Sequence, residues 1–339
     1  MSRSARASTR SMVLSMVMLL VTTVFLTGCG ASHSVLGIGE APKVNPTSVP
    51  LSLAQAESIL TRDFTAARQG ETSTGSAAKA ALRTAYTGEG LRAAIARLKL
   101  VAVQPTTAVS PLLAPQQPRL LAVPRGFGYP RVMLAQIVAS EGPLPILYLL
   151  TSPNAATPYR IGGSATMLLG SSLKPFDPLS KGSSLVTGEL AVAPAALLKA
   201  YADGMSFPAK RVAKPPFSSD SFSVQVRGKA AGIAKAVASQ ARFSQVHKVV
   251  PSSVYAVRQA SGDTLVFGVL ERTDSFAVKS GQAVNTSANK EFVLLSGKKR
   301  ISRSASITTL EFVVFVVPRS SGRAALVAAS EQVVAGSGS

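Results

Sequence analysis

The stretch LAVPRGFGYPRVMLA, residues 121–135, has the same pattern as YAVRQASGDTLVFGV, residues 255–269. Aligned without a gap, they match Ala122 with Ala256, Gly128 with Gly262, and Val132 with Val266, among others. Apolar runs on both sides of a glycine are typical of two strands joined by a turn, and the turn glycines are expected to take positive φ. The pattern predicts two β-hairpins and one structural plan used twice. The alternative is two unrelated α+β domains.

Helical periods precede the strands of the first copy. Ser52 and Gln55 have the spacing of a capping box, which starts a helix. The apolar face of that helix is predicted to contain Leu53, Ala56, Leu60, Phe64 and Ala67. A second helix is predicted near 91–98. Strands are then predicted over 120–123, 132–139, 146–150 and 164–169.

The second copy repeats this order. Pro194 is well placed for a helix start. Its apolar face is predicted to contain Leu197, Leu198, Tyr201 and Met205, and another helix is predicted over 230–241. Strands are predicted over 254–258, 264–272, 304–317 and 324–334.

Helices followed by a long antiparallel sheet indicate the α+β class. With about 130 residues per copy, the order resembles a tandem pair of cystatin-like, NTF2-like domains, in which helices pack on a bent antiparallel sheet. The predicted organisation is a first domain over 51–170, a linker over 171–190, a second domain over 191–334 and a disordered tail over 335–339. An insertion over 273–303 is predicted to form a surface loop or an extra hairpin.

The N-terminus has the features of a secretory signal. Three arginines precede an uncharged run over 12–26 that is short for a membrane span. The run ends in Leu26-Thr27-Gly28-Cys29, which resembles a bacterial lipobox, and Cys29 is the only cysteine. The resemblance implies that 1–28 are a lipoprotein signal peptide and that the Cys29 thiol receives a lipid. The alternative is a free cysteine at the end of a signal.

Residues 29–50 are small, polar and proline-bearing, and are predicted to be the lipidated cysteine and a flexible tether with a reach of ~25 Å. Two acyl chains hold a protein on a bilayer far better than one. The predicted location is therefore the extracytoplasmic face of the cell membrane, with the lipid as anchor. A single cysteine also excludes an intramolecular disulfide.

The charge is strongly basic, with 36 Lys and Arg against 16 Asp and Glu. Removing the signal, which contains three arginines and no acid, leaves a net charge of +17. Outside the cell the available polyanions are lipid headgroups and anionic wall polymers. The basic run, which we define as Lys298, Lys299, Arg300 and Arg303, is predicted to contact them. The alternatives are a solvated loop and a charge that serves solubility. Nucleic-acid binding is not expected, because tryptophan is absent and most aromatic residues occupy predicted core positions.

Residues for catalysis are scarce. The histidines are His33, in the tether, and His247, which is predicted to be structural because no G-x-S-x-G motif accompanies it. Ser171 and Lys174 have S-x-x-K spacing but lie in the predicted linker. Glu271 and Glu311 lie in predicted strands, and Glu311 shares its face with Val313 and Phe315. We predict no catalytic residues, no metal site and no cofactor.

Three stretches, YLLTSPNAATPYRIGGSA (148–165), RLLAVP (119–124) and APAALLKAYAD (193–203), resemble a family of uncharacterised lipoproteins from high-GC Gram-positive bacteria. The resemblance implies a membrane-anchored extracytoplasmic protein and supplies no catalytic residues. We expect a non-catalytic binding or scaffolding module at the cell envelope. The alternative is an enzyme acting on a small molecule or glycan in an NTF2-like pocket, which a buried Glu271 or Glu311 in a concave site would favour. A third possibility is an inactive repeat pair that supports a partner complex.

Overall fold

The structure, a computed structural model, describes residues 47–339 except 102, 104–117, 127, 139–143, 187–189, 191 and 211. The predicted signal peptide, Cys29, and the predicted tether up to residue 46 lie outside the described residues. From Pro46 to Ser339 the chain is one compact unit. This unit contains both predicted domains, so the division at the predicted linker, 171–190, stays a prediction.

The first helix begins where the capping box predicts. Helix α1 spans Leu53–Thr72; the Gln55 backbone N–H donates to Ser52 Oγ at 3.2 Å, and the Ser52 N–H donates to Gln55 Oε1 at 2.8 Å. Its predicted face is buried except for Leu53, which is half exposed in the first turn. Helices α2 (Gly75–Ala85) and α3 (Gly88–Leu100) follow. Sequence reasoning missed α2 because alanine supplies most of its buried face and gives a weak periodic signal.

The helices of the second half are α4 (Pro194–Met205) and α5 (Ser221–Val237). The four residues predicted to form the apolar face of α4 are all buried, which confirms that prediction. Helix α5 begins nine residues before its predicted start. Asp220 caps it, because its Oδ1 accepts from the Ser223 N–H at 2.7 Å.

The strands form one large antiparallel sheet and one small hairpin. Their bounds are β1 (Arg119–Ala122), β2 (Arg131–Ile137), β3 (Ile146–Ser152), β4 (Arg160–Met167), β5 (Ala241–Val249), β6 (Tyr255–Arg258), β7 (Thr264–Val278), β8 (Val284–Asn285), β9 (Arg300–Ile301), β10 (Ser304–Val317) and β11 (Ala325–Gly338). The order in the large sheet is β1-β2-β3-β4-β11-β10-β7-β5, with β6 also paired to β7. The α+β prediction is confirmed, whereas strand β5 was not predicted.

Both predicted hairpins are present, as β1–β2 and β6–β7. Gly262 has φ +88° and confirms the predicted turn glycine there. The prediction for Gly128 is wrong, because a glycine with positive φ in the first hairpin is Gly126, at +96°. The partners are not equivalent, because Ala122 pairs with Leu134 whereas Ala256 pairs with Val266. The two registers therefore differ by two residues. The matched residues also face different cores, since Ala122 and Val132 belong to one apolar cluster and Ala256 and Val266 to another.

The sheet folds back on itself, so that its two halves pack face to face. Strands β4 and β11 pair through only two residue pairs, which leaves the sheet free to bend there. One apolar core lies between β2–β4 and the strands β7, β10 and β11. Helices α1–α3 cover the outer face of the first half, and α4 and α5 cover the outer face of the second. The layers are thus helix, sheet, sheet, helix.

A glycine makes room for an aromatic ring between these two sheet layers. A Cβ atom placed on Gly163 of β4 would lie 2.6 Å from the Phe312 ring of β10. Only a residue without a side chain leaves space for the ring at this position. The sequence left open whether the two halves pack together, and the structure shows that they do.

The predicted tail and the described part of the predicted linker pack on this body. Within 171–190 no described residue belongs to a helix or strand of the sheet, but Leu173, Phe176 and Leu185 pack against the core between the sheet layers. The predicted disordered tail is wrong. Strand β11 runs to Gly338, which pairs with Ala305 of β10. Small polar residues carry little strand signal, and here the backbone pairing orders them.

The insertion contains the remaining elements. Strand β7 extends to Val278, and β8, helix α6 (Lys290–Ser296) and β9 follow. Strands β8 and β9 pair through Val284 and Ile301, so an extra hairpin is present as predicted. Helix α6 packs on β11, where a Cβ atom on Gly336 would lie 3.3 Å from Leu295.

Candidate functional site

The basic run lies on the surface of the insertion. Lys298 and Lys299 follow helix α6, Arg300 begins β9, and Arg303 precedes β10. All four residues are exposed. No ion pair within the described chain involves any of them. Their charges are therefore available to an external anion.

The backbone of the run is held in place although its side chains are not. Thr286 Oγ1 donates to the Lys298 carbonyl at 2.8 Å, and the Thr286 N–H donates to the Lys299 carbonyl at 2.9 Å. The Val278 N–H donates to the Arg303 carbonyl at 2.8 Å. Helix α6 ends at Gly297 with φ +69°, the usual left-handed cap. The run thus presents its cations on a fixed backbone.

Glu311 lies in a group of charged residues that runs from the interior to the surface, which we call the charge cluster. It consists of Arg272, Asp274, Glu311, Glu331, His247 and Lys229. Glu311 shares its face with Val313 and Phe315, as predicted. Its side chain is fully buried, which the sequence did not predict. The cluster lies on the face of the sheet that α4 and α5 cover.

Arg272 joins the three carboxylates. Its Nη1 lies 2.7 Å from Glu311 Oε1 and 2.8 Å from Glu331 Oε2. Its Nε lies 3.3 Å from Asp274 Oδ2. Asp274 lies two residues further along β7, while register brings Glu311 of β10 and its cross-strand partner Glu331 of β11 to the same place. A guanidinium suits this role because it offers several donors in a planar fork.

A histidine and a lysine lie at the edge of these carboxylates. His247 Nε2 is 3.3 Å from Glu311 Oε2, its side chain is fully buried, and neither ring nitrogen has a hydrogen-bond partner within the described chain. Lys229 of α5 lies 3.0 Å from Glu331 Oε1. The cluster therefore spans four strands and one helix.

The environment shifts the carboxyl pKa values in opposite directions. Burial raises the pKa of Asp274, with Arg272 and His247 opposing that shift. Burial acts in the same direction on Glu331, but Arg272 and Lys229 together outweigh it and lower the pKa of that carboxyl. Opposed shifts of this kind follow from how much each group is buried and how directly it faces a cation.

The other candidate groups for catalysis are also paired. Glu271 is about one third exposed and lies 3.0 Å from Arg92, which also bonds Glu89 at 2.6 Å. Lys174, of the S-x-x-K spacing, bonds Asp263 at 2.7 Å. Glu271 and Glu311 thus lie on opposite faces of the sheet and form no shared site.

A small cleft of about 160 Å³ lies at the N-terminus of α3, on the face of the sheet away from the charge cluster. Its walls include Glu89, Thr151, Ser253, Tyr255 and Phe267. The Glu89 carboxylate is already bonded to Arg92. The volume is below the range of about 300–1,000 Å³ that is usual for ligand pockets.

The structure does not bring the predicted site residues together. The basic run is at the insertion, the charge cluster is under α5, and Cys29 and His33 lie outside the described residues. Among the described residues, no group of three or more His, Cys, Asp or Glu side chains is arranged to hold a metal ion. Likewise, no helix of the described chain has the length and apolar character needed to cross a bilayer. No family model, curated protein or solved structure matches this chain.

Sequence reasoning missed Arg272, Asp274 and Glu331 as parts of a cluster. A signal was present in β7, where Arg272 and Asp274 continue the alternation of buried residues Val266 and Leu270. Charged residues at core positions of a strand are uncommon unless they are paired. Their partners on β10 and β11 could be identified only from the strand register.

A second buried charge lies in the first half. Asp63 of α1 is fully buried; Arg62 Nε donates to its Oδ1 at 2.7 Å, whereas Oδ2 has no hydrogen-bond partner within the described chain. Burial raises the pKa of Asp63 from 3.8 to about 7, against the opposing effects of Arg62 and Arg160. The folded protein therefore binds a proton at Asp63 more tightly than the unfolded chain does.

Stability should consequently fall as pH rises from about 4 to about 7, because the folded pKa of Asp63 is the higher one. Replacing Asp63 by asparagine should remove this dependence, so that its advantage over the wild type is about 2 kcal/mol larger at pH 8 than at pH 5. Urea unfolding at both pH values measures this. Glu57→Gln, an exposed site on the same helix, is the control. An equal effect of Asp63→Asn at both pH values would contradict the prediction.

Proposed function

We propose that this chain is a lipid-anchored extracytoplasmic protein of the cell membrane that binds anionic envelope components without catalysis. The observation that carries the proposal is the basic run: four exposed cations on a fixed backbone, without an ion pair in the described chain. The lipobox at Cys29 supports the location, and the resemblance to uncharacterised lipoproteins of high-GC Gram-positive bacteria agrees with it.

The pairing of the two candidate carboxylates with arginine favours binding over catalysis. A general acid or base needs a carboxyl group within reach of a substrate. Glu311 is bonded to Arg272 in the interior, and Glu271 is bonded to Arg92. Neither lines the cleft at α3. The pairing of both groups with arginine supports a binding module.

We also propose that the two halves are repeats of a cystatin-like, NTF2-like unit. In each half the helices precede an antiparallel sheet and cover one face of it. The matched residues Ala122 and Val132 lie in the core between the sheet layers, whereas Ala256 and Val266 lie under α4 and α5. The gapless match therefore does not preserve the face of the sheet, and the repeat proposal rests on the shared order of helices and strands. An experimental structure in which the helices do not overlay when β1–β2 is superposed on β6–β7 would exclude the repeat.

The binding proposal predicts a salt-sensitive interaction. For the chain without its lipid, residues 30–339, binding to purified anionic envelope fractions should weaken as salt is raised. Lys298→Glu/Lys299→Glu/Arg300→Glu should reduce the affinity by about a hundredfold or more, because each cation near an anionic surface contributes about 1 kcal/mol. Sedimentation with the fractions measures both effects.

The matched control reverses three other exposed cations, as Lys181→Glu/Arg319→Glu/Arg323→Glu. It makes the same change in net charge away from the insertion. If the control lost as much affinity as the variant of the basic run, the attraction would be a property of the whole protein. The specific role of the run would then be wrong.

A further inference from the structure

We propose that the end of the sheet at the insertion is a docking surface for an anionic phospholipid bilayer. This surface, which we call the basic end, consists of the basic run, Arg242, Lys279 and the exposed Leu294 of α6. The proposal rests on the proposed function and deepens it, since it names the bilayer as the partner and adds residues from other segments of the chain.

The strand register brings these segments together. Arg242 of β5 pairs with Ala277 of β7, and Ala277 also pairs with Ser304 of β10, the residue after Arg303. The Lys279 N–H donates to the Gln240 carbonyl at 2.8 Å, which fixes Lys279 beside the start of β5. Residues more than 50 positions apart in the sequence thus lie at one end of three neighbouring strands.

The charge at this end is almost entirely of one sign. The segments 235–242 and 275–303 contain eight lysines and arginines, and Glu291 is their one acidic residue. Arg242 and Lys279 are exposed, and within the described chain neither makes an ion pair. Lys279 Nζ donates to the Ala238 carbonyl at 2.6 Å, which orients the cation but leaves its charge unneutralised. Such a surface is complementary to an anionic partner.

Leu294 distinguishes a bilayer from a soluble polyanion. On α6, Phe292 and Leu295 pack towards β11, whereas Leu294 is 45 % exposed. Lys290 and Lys298 lie four residues before and after it. An exposed leucine adds little to the affinity for a polar polymer. A membrane surface accepts apolar side chains below the headgroups while the cations contact lipid phosphates.

The opposite end of the sheet provides an internal comparison. Strand β10 has 14 residues, so the β10–β11 turn with Arg319 and Arg323 lies about 45 Å along the strand from Arg303. Both arginines are exposed. They have the same charges as Arg242 and Lys279 but lie outside the proposed surface.

The test uses residues 30–339, which include the whole described chain and lack the lipid. Binding is measured by sedimentation with vesicles of phosphatidylcholine containing phosphatidylglycerol, with vesicles of phosphatidylcholine alone, and with soluble polyphosphate. The variants are Arg242→Glu/Lys279→Glu, the milder Arg242→Gln/Lys279→Gln, and Leu294→Ser. The control is Arg319→Glu/Arg323→Glu. Circular dichroism verifies that each variant is folded.

We expect binding to the anionic vesicles and not to phosphatidylcholine alone. Reversing Arg242 and Lys279 should weaken it at least about tenfold, and the glutamine pair should show a smaller loss in the same direction. The control should bind like the wild type. Leu294→Ser should weaken vesicle binding about fivefold, because a partly buried leucine is lost, and should leave polyphosphate binding unchanged.

The possible failures are distinguishable. Salt-sensitive polyphosphate binding without vesicle binding would overturn the bilayer and preserve the proposed function. The extended surface would be overturned if neither pair of substitutions at Arg242 and Lys279 changed vesicle binding, or if Leu294→Ser did not change it. The basic run would then be the remaining proposed contact. No binding to vesicles, polyphosphate or envelope fractions would overturn both proposals.

Discussion

Replacing Arg272 by methionine is expected to lower the free energy of unfolding by about 3–5 kcal/mol at pH 7. Arg272 lies 2.7 Å from Glu311, whose side chain is fully buried. Without the arginine, that carboxylate has no strong cation beside it, and Glu331 and Asp274 lose the same partner. Removing one member of a buried ion pair is costly because the other charge remains in a medium that solvates it poorly.

Urea unfolding of residues 30–339 measures this difference. The matched control is Arg92→Met, which also removes an arginine that contacts two carboxylates, Glu89 and Glu271. The Arg92 side chain is 44 % exposed, so water replaces its contacts and we expect a loss of at most about 1 kcal/mol. Similar losses of unfolding free energy for Arg272→Met and Arg92→Met would show that burial does not determine how strongly the Arg272 contacts stabilise the protein.

A double variant separates lost attraction from the uncompensated charge. Arg272→Met/Glu311→Gln removes the buried charge together with its partner, so it should cost clearly less than the sum of the two single changes. A cost equal to that sum would mean that Arg272 and Glu311 contribute independently. The claim that Arg272 organises the charge cluster would then be wrong.

The other large effect is expected at Cys29. Replacing Cys29 by serine should abolish incorporation of a labelled fatty acid, because a hydroxyl does not substitute for the thiolate in the lipid transfer that the lipobox implies. Metabolic labelling in a bacterium with the lipidation pathway, followed by gel electrophoresis, measures this as the presence or absence of a band. Loss of both acyl chains should also remove the main source of membrane affinity.

Thr27→Ala is the matched control for lipidation. It changes a residue of the same lipobox but keeps a small side chain there and leaves Cys29 in place. Labelling should therefore persist. A wild-type chain that takes up no label, or a Cys29→Ser variant that still does, would contradict the assignment of Cys29 as the lipid anchor.

Local signals in the sequence predicted much of the secondary structure. Ser52 and Gln55 fix the start of α1, Pro194 fixes the start of α4, and the apolar run of β10 gave its bounds of 304–317. These features depend on neighbouring residues, so pattern alone identifies them. Helix α2 and the end of β11 were missed because alanine, glycine and serine produce little pattern.

The charge cluster and the basic end could not be predicted in this way. Glu311 and Arg272 are 39 residues apart, and Arg242 and Arg303 are 61 positions apart. A shift of one residue in strand register would move each side chain to the other face of the sheet. Their association depends on register, which the turns and the packing of all strands fix together.

The sequence by itself determined the α+β class, the two hairpins, the starts of α1 and α4 and the basic run, because each is encoded in adjacent residues or in a short period. Only the tertiary structure decided that the sheet folds back on itself, with Gly163 against Phe312, and that Arg272 meets three carboxylates. These contacts join segments that are distant in the sequence. Their geometry follows from the bend at β4–β11 and from strand register, neither of which a local pattern specifies.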